Sequence, residues 1–110
     1  MQISVKTTNE VKVLAFQGKL DTQTSPDAQQ QLTRLIEEGE KRFLVNFEKL
    51  DYITSAGLRV LLVAAKQLKG IDGELRICSL NEVVGEVFDI SGFTTIFKIF
   101  GSESEALDGF

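Results

Sequence analysis

Ser55 is the residue whose type and position point most directly to chemistry. It follows Phe43-Leu-Val-Asn-Phe47, an apolar run of aromatic and β-branched residues that is typical of a buried strand. After Gly57, the chain runs to Lys69 without a proline or another glycine, which predicts a helix. A hydroxyl at such a helix start can cap the free N–H groups of the first turn, or it can carry a phosphate that the helix dipole favours.

The residues that would make Ser55 a catalytic nucleophile are missing. The sequence has no histidine, which excludes a Ser-His-acid triad and removes the commonest nitrogen ligand of metals. A nucleophile elbow needs glycine two positions before the serine, where this chain has Ile53, and no phosphate-binding Gly-x-x-x-x-Gly-Lys-Ser/Thr segment occurs. Asp21 and Asp51 are explained more simply as solvated loop acids than as a catalytic pair. We therefore predict a protein that is not an enzyme and uses no cofactor.

The net charge restricts the kinds of partner that we expect. The chain carries a net charge of −4 and has a pI near 4.8. Nucleic acids and anionic membrane surfaces both reward clustered Lys and Arg, so a protein or a small molecule is the expected partner. The N-terminus does not resemble a signal peptide, and no apolar stretch is long enough to span a bilayer. We expect a cytoplasmic protein that binds no nucleic acid and inserts into no membrane.

Length and cysteine content indicate one small domain over residues 1–110. A chain of 110 residues can remove roughly two thirds of its unfolded surface from water in a single core. Cys78 is the single cysteine, so no disulfide forms within the chain and no metal-ligand spacing exists. We interpret Cys78 as a small buried hydrophobic residue.

The first third of the chain predicts a hairpin followed by a helix. Residues 2–7 and 11–16 are strand-like and are separated by turn residues, which favours an antiparallel hairpin. A polar connection over residues 19–24 leads to Ser25-Pro26-Asp27, with a hydroxyl at the cap, a proline at the first helical position and a carboxylate in the first turn. Gly39 is placed to end this helix.

The helix after Ser55 is apolar around most of its circumference. Beyond its core stripe, Val60, Val63 and Ala64 extend the apolar surface. Either neighbouring helices cover this extra surface, or one face stays uncovered until a partner binds.

The remaining elements continue the alternation of strands and helices. Residues 74–79 predict a strand, Asn81 caps a short helix that Gly92 stops, and residues 94–100 predict a last strand before a frayed helix that begins at Ser102.

This order predicts an α/β fold with a mixed sheet. The initial hairpin is antiparallel, and the later strands are parallel because helical crossovers join them. Sites in such sheets form beyond the carboxyl ends of the strands. The loops at Asp21 and at Thr54-Ser55 both follow strands, so we expect them to meet at one edge of the sheet.

Four segments carry a resemblance to a known family. They are Gly18-Lys-Leu-Asp21, Phe43-Leu-Val-Asn-Phe47, Tyr52-Ile-Thr-Ser-Ala-Gly-Leu58 and Val87-Phe-Asp-Ile-Ser-Gly-Phe93. In this order they resemble STAS domains, most closely the bacterial anti-sigma factor antagonists, over nearly the whole chain. The resemblance implies a small sheet with helices packed mainly on one side and a regulatory role.

The resemblance also implies roles for individual residues. In that family an anti-sigma factor serine kinase phosphorylates the serine that corresponds to Ser55, and the unphosphorylated protein binds this kinase and so releases a sigma factor. A phosphatase that removes the phosphate is a further implied partner. Asp21 matches the family's acidic residue, whereas Thr54 replaces the aspartate of the best-studied antagonists. The expected partner-binding residues are Asp21, Thr54, Ser55, Gly57, Leu58 and Arg59, although Arg59 is also explained as a solvated surface charge.

Two alternatives stay open beside this phosphorylation switch. The chain could be a non-enzymatic STAS subunit of a larger assembly, such as a lipid-transport ABC system, in which Ser55 only caps a helix. It could also be a sensory module that binds a small ligand, for which the sequence offers no pocket signal.

Overall fold

A computed structural model describes residues 1–110, which form one five-stranded sheet and four α-helices. The strands are β1 (Gln2–Thr8), β2 (Val11–Leu20), β3 (Arg42–Ile53), β4 (Glu74–Cys78) and β5 (Lys98–Phe100). The helices are α1 (Ser25–Glu37), α2 (Ser55–Lys69), α3 (Glu82–Ser91) and α4 (Glu103–Leu107), and a short 3-10 helix spans Phe93–Thr95.

The sheet is mixed, as the sequence predicts. Its strands lie in the order β1-β2-β3-β4-β5. The β1-β2 hairpin is antiparallel, and the other three pairs are parallel, each joined by one helix of α1 to α3. The predicted α/β fold with an antiparallel hairpin and parallel later strands is therefore confirmed.

The larger core lies between the sheet and helices α1, α2 and α3. Alternate residues of β3, namely Phe43, Val45 and Phe47, point into it and are fully buried. The ring of Phe47 packs edge to face against Phe16 of β2 at 5.3 Å and against Phe88 of α3 at 6.4 Å between ring centroids. These aromatic contacts connect the middle of the sheet to the helical layer.

The opposite face of the sheet is covered by α4 and the residues after it. Leu44 and Cys78 are fully buried there together with Ala106 of α4. Burial raises the pKa of the Cys78 thiol, so the side chain acts as the small hydrophobic residue that the sequence predicts. Three helices thus lie on one face and one short helix on the other, which confirms the predicted one-sided packing.

Arg76 of β4 anchors the C-terminal segment over this second face. Its guanidinium donates hydrogen bonds to the carbonyl oxygens of Ala106 and Asp108, both at 3.0 Å, and of Gly109 at 3.2 Å. The ring of Phe110 stacks 4.3 Å from the guanidinium carbon. Five fixed N–H donors allow one arginine to satisfy several carbonyl oxygens at once, which an apolar contact cannot do.

The charge of Arg76 is balanced by Glu74 on the same strand. The Nε atom of Arg76 lies 2.8 Å from a Glu74 carboxylate oxygen, and Lys98 contributes a second contact at 3.3 Å. Burial raises the pKa of Glu74, but hydrogen bonds from both cations outweigh this effect, so its pKa lies below the ordinary value. The pair keeps the buried guanidinium compensated.

Two strand boundaries differ from the sequence prediction. The strand predicted over residues 43–47 extends to Ile53, and the strand predicted to end at Phe16 extends to Leu20. Parallel pairing of β2 with β3 continues through two register shifts and buries Leu50 and Ile53. This pairing, which local patterning cannot reveal, keeps the polar residues between them extended.

The strand predicted over residues 94–100 is shorter than expected. Gly92 ends α3 as predicted, in a left-handed conformation with φ of 79°, but the chain then forms the 3-10 helix before β5 begins at Lys98. The backbone N–H of Ile96 donates to the carbonyl of Phe93, and β4 offers pairing partners for three residues only. The β-branched residues Thr94 and Thr95 therefore lie outside the sheet.

Of the predicted starts of α3 and α1, the first is confirmed and the second is shifted. Asn81 caps α3 as predicted, because its side chain accepts a hydrogen bond from the Val84 N–H at 2.8 Å. Ser25 is instead the first residue of α1, and its hydroxyl donates to the carbonyl of Asp21. The helix therefore begins one residue earlier than predicted, and Thr24 takes the capping position.

The extra apolar surface of α2 is covered by the rest of the fold. Val60 and Ala64 are buried, and Val63 is half-buried. Of the two explanations, cover by neighbouring elements is correct, and an uncovered α2 face is wrong.

We predict that Arg76→Met loosens the C-terminal segment and lowers the free energy of unfolding by roughly 3 kcal/mol, because charged hydrogen bonds to buried carbonyls are lost. Urea unfolding measures this loss, and a thiol reagent added under native conditions should modify Cys78 faster. Lys98→Met removes the exposed partner of Glu74 and is the matched control, with little expected effect. Equal labelling rates in Arg76→Met and the unchanged protein would contradict the anchoring role.

Candidate functional site

The predicted site lies where β2 and β3 end side by side. Leu20 and Ile53 are paired in register at this edge, and the backbone N–H of Thr54 donates to the carbonyl of Leu20 at 3.0 Å. The turn that starts at Asp21 and the start of α2 at Ser55 are therefore neighbours. The expectation that these two loops meet at one edge of the sheet is confirmed.

The carboxylate of Asp21 shapes the turn after β2. One of its oxygens, Oδ1, accepts hydrogen bonds from the backbone N–H groups of Gln23 at 2.9 Å and Thr24 at 3.1 Å. The Thr24 hydroxyl in turn accepts from the Asp21 N–H and donates to the carbonyl of Lys19, both at 2.9 Å. The hydrogen bond from Thr24 is the main cause that holds the pKa of Asp21 below its ordinary value. These bonds leave the second oxygen, Oδ2, for other partners.

Ser55 is the first residue of α2, and its side chain is exposed. The flanking position before the helix belongs to Thr54, whose backbone is extended, and no side chain caps this helix. The interpretation of Ser55 as a helix cap is therefore wrong, because the helix starts at Ser55 itself, one residue earlier than a capping serine requires, and Thr54 takes the capping position. The Ser55 hydroxyl is free of any structural hydrogen bond at this helix start.

Thr54 contributes to the edge through its backbone and hides its side-chain oxygen. The residue is half-buried, but its Oγ1 atom is out of contact with solvent and has no hydrogen-bond partner. An unsatisfied buried hydroxyl is costly, since it has lost its hydrogen bonds to water. The two adjacent hydroxyls of Thr54 and Ser55 thus differ completely in accessibility.

The electrostatic surroundings of Ser55 favour negative charge. The first turn of α2 contains no acidic residue, and its N–H groups lack helical partners. Arg59 lies one turn further along, with an exposed side chain. Its exposure agrees with both sequence interpretations, a partner contact and a solvated charge.

Gly57 lets the first turn of α2 approach the end of β2 closely. A Cβ atom at this position would lie 2.8 Å from the carbonyl oxygen of Leu20 and 2.7 Å from Cγ1 of Ile53. Leu58 next to it is only 6% exposed and packs in the larger core. The expectation that Gly57 and Leu58 form a partner surface is therefore corrected: both are buried, and they position the residues around them.

A polar groove between α1 and α2 opens beside Ser55. Its walls include Ser55 and Arg59 of α2 and several residues of α1. The α1 side contributes Pro26, Gln29, Gln30, Thr33, Arg34 and Glu37. Sequence reasoning missed these residues because it followed the apolar stripe of α1. Their spacing of three or four residues along the opposite stripe is the signal that could have found them.

Two further features, a metal site and a membrane-spanning helix, are absent from the structure. No group of three or more His, Cys, Asp or Glu side chains is arranged to hold a metal ion. None of the helices has the length and apolar character needed to cross a membrane.

We predict that Gly57→Ala lowers the free energy of unfolding by about 1 to 3 kcal/mol, because the new methyl group overlaps backbone and side-chain atoms of Leu20 and Ile53. Gly85→Ala in α3 is the matched control: its nearest neighbour is Cβ of Leu80 at 4.0 Å, and alanine favours a helix by up to about 1 kcal/mol. Chemical denaturation compares the two variants. Similar effects of both substitutions would show that the close approach at Gly57 is unimportant.

The chain matches a known family and a known protein along almost its whole length. Residues 2–106 match the family model described as the STAS domain. A Bordetella bronchiseptica protein named "Putative anti-sigma factor antagonist BtrV" is 36% identical over 110 residues, which is all of this chain and 95% of that protein.

Two solved structures show the same fold. The crystal structure of an anti-sigma factor antagonist from Mycobacterium paratuberculosis superimposes with a TM-score of 0.89 and 17% identity over 96% of this chain and 90% of that one. The phosphorylated form of the Bacillus cell fate determinant SpoIIAA gives a TM-score of 0.77 and 23% identity over 97% of both chains. Together with the shared fold, the match along almost the whole sequence leads to one assignment: this chain belongs to the STAS domain family, as its sequence motifs predict.

Proposed function

We propose that this protein is an anti-sigma factor antagonist whose binding is switched by phosphorylation of Ser55. In its unphosphorylated form it binds an anti-sigma factor that is also a serine kinase, and a sigma factor is released. Its similarity to BtrV and to SpoIIAA, whose structure is known in a phosphorylated form, supports this proposal. A phosphatase would restore the binding form.

The observation that carries the proposal is the difference in accessibility among the hydroxyls at the site. Ser55 is exposed at the start of α2. The Thr54 oxygen is buried, and Ser25 is 6% exposed with its hydroxyl bonded to the carbonyl of Asp21. A kinase active site therefore has access to Ser55, whereas the fold would have to open locally to offer Thr54 or Ser25.

A phosphate on Ser55 is compatible with the fold itself. It adds roughly −1.5 to −2 charges and three acceptor oxygens. The start of α2 favours this charge, because the helix dipole and the unpaired N–H groups are positive there and no acidic residue lies in the first turn. The backbone should change little except at Thr54 and Ser55.

The same phosphate would strongly disfavour a partner packed against Ser55. A small hydroxyl becomes a bulky, hydrated dianion, which must be desolvated without a counter-charge unless the partner supplies a cation. The turn at Asp21 supports this surface from the neighbouring strand, since its internal hydrogen bonds hold it in one conformation and leave Oδ2 for a partner donor. Switching therefore acts at the interface and leaves the fold of the antagonist unchanged.

We predict that the cognate anti-sigma factor kinase and ATP add one phosphate to this protein, located on Ser55 by fragmentation mass spectrometry. The phosphorylated protein should bind the kinase at least about a hundredfold more weakly by calorimetry, which corresponds to about 2.7 kcal/mol. Ser55→Ala should bind normally and resist switching, and Ser55→Asp should imitate the phosphate only in part.

The control is the backbone amide spectrum, which should stay nearly unchanged away from the Ser55 loop after phosphorylation. A phosphate on Thr54 or Ser25 would refute the assignment of the site. Equal affinity of modified and unmodified protein would refute the switch, whereas stable co-purification with a transport ATPase and no modification would favour the STAS subunit of a larger assembly.

We further predict that Arg59→Glu weakens kinase binding at least tenfold without lowering the melting temperature, because Arg59 lines the groove beside Ser55. Lys66→Glu makes the same charge change on the same face of α2, seven residues and about 10 Å further along, and should bind normally. If both variants lose affinity equally, the effect is one of net charge, and Arg59 does not contact the partner.

A further inference from the structure

The outer face of α3 carries an apolar stripe that the fold leaves exposed. Val83, Val87 and Ile90 follow one another at spacings of four and three residues, which places them along one side of the helix. Val83 is 51% exposed and Ile90 is 79% exposed, whereas Val87 is half-buried. No large apolar side chain of α1 or α2 is exposed to this degree.

The two ends of this stripe, Val83 and Ile90, lie away from the face that holds α3 on the sheet, whereas Val87 packs partly against the larger core. Val84 and Phe88 point inward and are fully buried, with the Phe88 ring against Phe47 of β3 and Phe93 of the 3-10 helix. The helix is thus fixed by its inner residues and by the Asn81 cap. Val83 and Ile90 contribute little to this packing, so their exposure needs another explanation.

An acidic stripe runs beside the apolar one. Glu82, Glu86 and Asp89 have the same spacing as Val83, Val87 and Ile90 but lie one residue earlier, and α3 contains no basic residue. None of these three carboxylates takes part in an ion pair, although Glu10, Glu74 and Glu103 elsewhere in the protein do. The outer face of α3 therefore combines uncovered apolar area with uncompensated negative charge.

We propose that this face of α3 binds a protein partner through a helix whose apolar stripe is bordered by lysine or arginine. The three carboxylates supply the charge complementarity, and the ten residues of α3 offer a contact about 15 Å long, enough for three turns of a partner helix. A symmetric contact with α3 of a second copy would add further carboxylates, because α3 itself contains no cation to meet them. A nucleic acid or an anionic membrane would be repelled for the same reason.

The α3 surface is distinct from the phosphorylation site. Arg59, Ser55 and the polar groove lie between α1 and α2, and none of the groove residues belongs to α3. Binding at α3 should therefore be independent of the state of Ser55. This independence allows the two proposals to fail separately.

The probe for this surface is a synthetic 15-residue helical peptide with a leucine stripe bordered on one side by lysines. Two control peptides replace its lysines by glutamate or its leucines by serine. Each is titrated into the isotopically labelled protein, and amide shifts locate the site. We expect the first peptide to shift α3 resonances and both controls to bind at least tenfold more weakly.

Protein variants test the two stripes separately. Val83→Ser with Ile90→Ser should weaken binding of the peptide at least tenfold, and Glu86→Gln with Asp89→Asn should weaken it severalfold and remove most of its salt dependence. Val5→Ser, on an exposed residue of β1, is the matched control and should change nothing. Melting curves confirm that the variants remain folded.

Several outcomes would overturn the proposal. They are peptide shifts that lie outside α3, binding that survives the loss of leucines or lysines, and unchanged affinity in the Val83/Ile90 double variant. Self-association of the unchanged protein in sedimentation that the double variant abolishes would instead identify a second copy as the occupant. Ser55→Asp should bind the peptide as the unchanged protein does, and a loss of binding there would refute the independence of the two surfaces.

Discussion

The carbonyl group of Leu20 is the point on which the geometry of the site depends. It accepts the hydrogen bond from Thr54 that ties the end of β3 to the end of β2, and the backbone of Gly57 packs closely against the same oxygen. One acceptor thereby fixes both the direction in which the chain leaves β3 and the distance of α2 from the sheet. This arrangement holds the start of α2 close to the end of β2, and Ser55 is exposed at that start.

The two faces of the sheet are stabilised by different means. On the larger face, aromatic rings of β2, β3 and α3 interlock, which is the usual way for a sheet to bury a helical layer. The other face has only a five-residue helix and a short tail to cover it, and its apolar cluster is much smaller than that of the larger face. The hydrogen bonds of Arg76 to three carbonyl oxygens compensate for this shortage, at the cost of burying a charge that Glu74 must balance.

In the proposed function, regulation and further recognition belong to different surfaces. The polar groove between α1 and α2 contains few apolar side chains, so a single phosphate beside it can dominate the energetics of a contact there. The α3 face combines apolar area with negative charge, and none of its residues lines this groove. A small domain can in this way bind one partner through a surface that phosphorylation regulates and another through a surface that phosphorylation does not affect.

Much of the architecture was predictable because it depends on local patterns. Alternating strands, the cap at Asn81, the glycine stop at Gly92 and the order of the family motifs identified a mixed α/β sheet of the STAS family. The ends of β2 and β3 were not predictable, because pairing between distant residues keeps polar segments extended against their local preferences. The 3-10 helix before β5 depends in the same way on the limited pairing that β4 offers.

For the site, the sequence by itself determined that a serine and a nearby aspartate follow strands at one edge of the sheet. Only the tertiary structure decided which side chains are accessible there. It buries the hydroxyl of Thr54 and the side chain of Leu58, exposes Ser55, and brings the polar stripe of α1 beside α2. The physical reason is that exposure depends on how closely the elements approach one another, here the start of α2 and Leu20 at the end of β2. The local sequence of each element does not determine this distance.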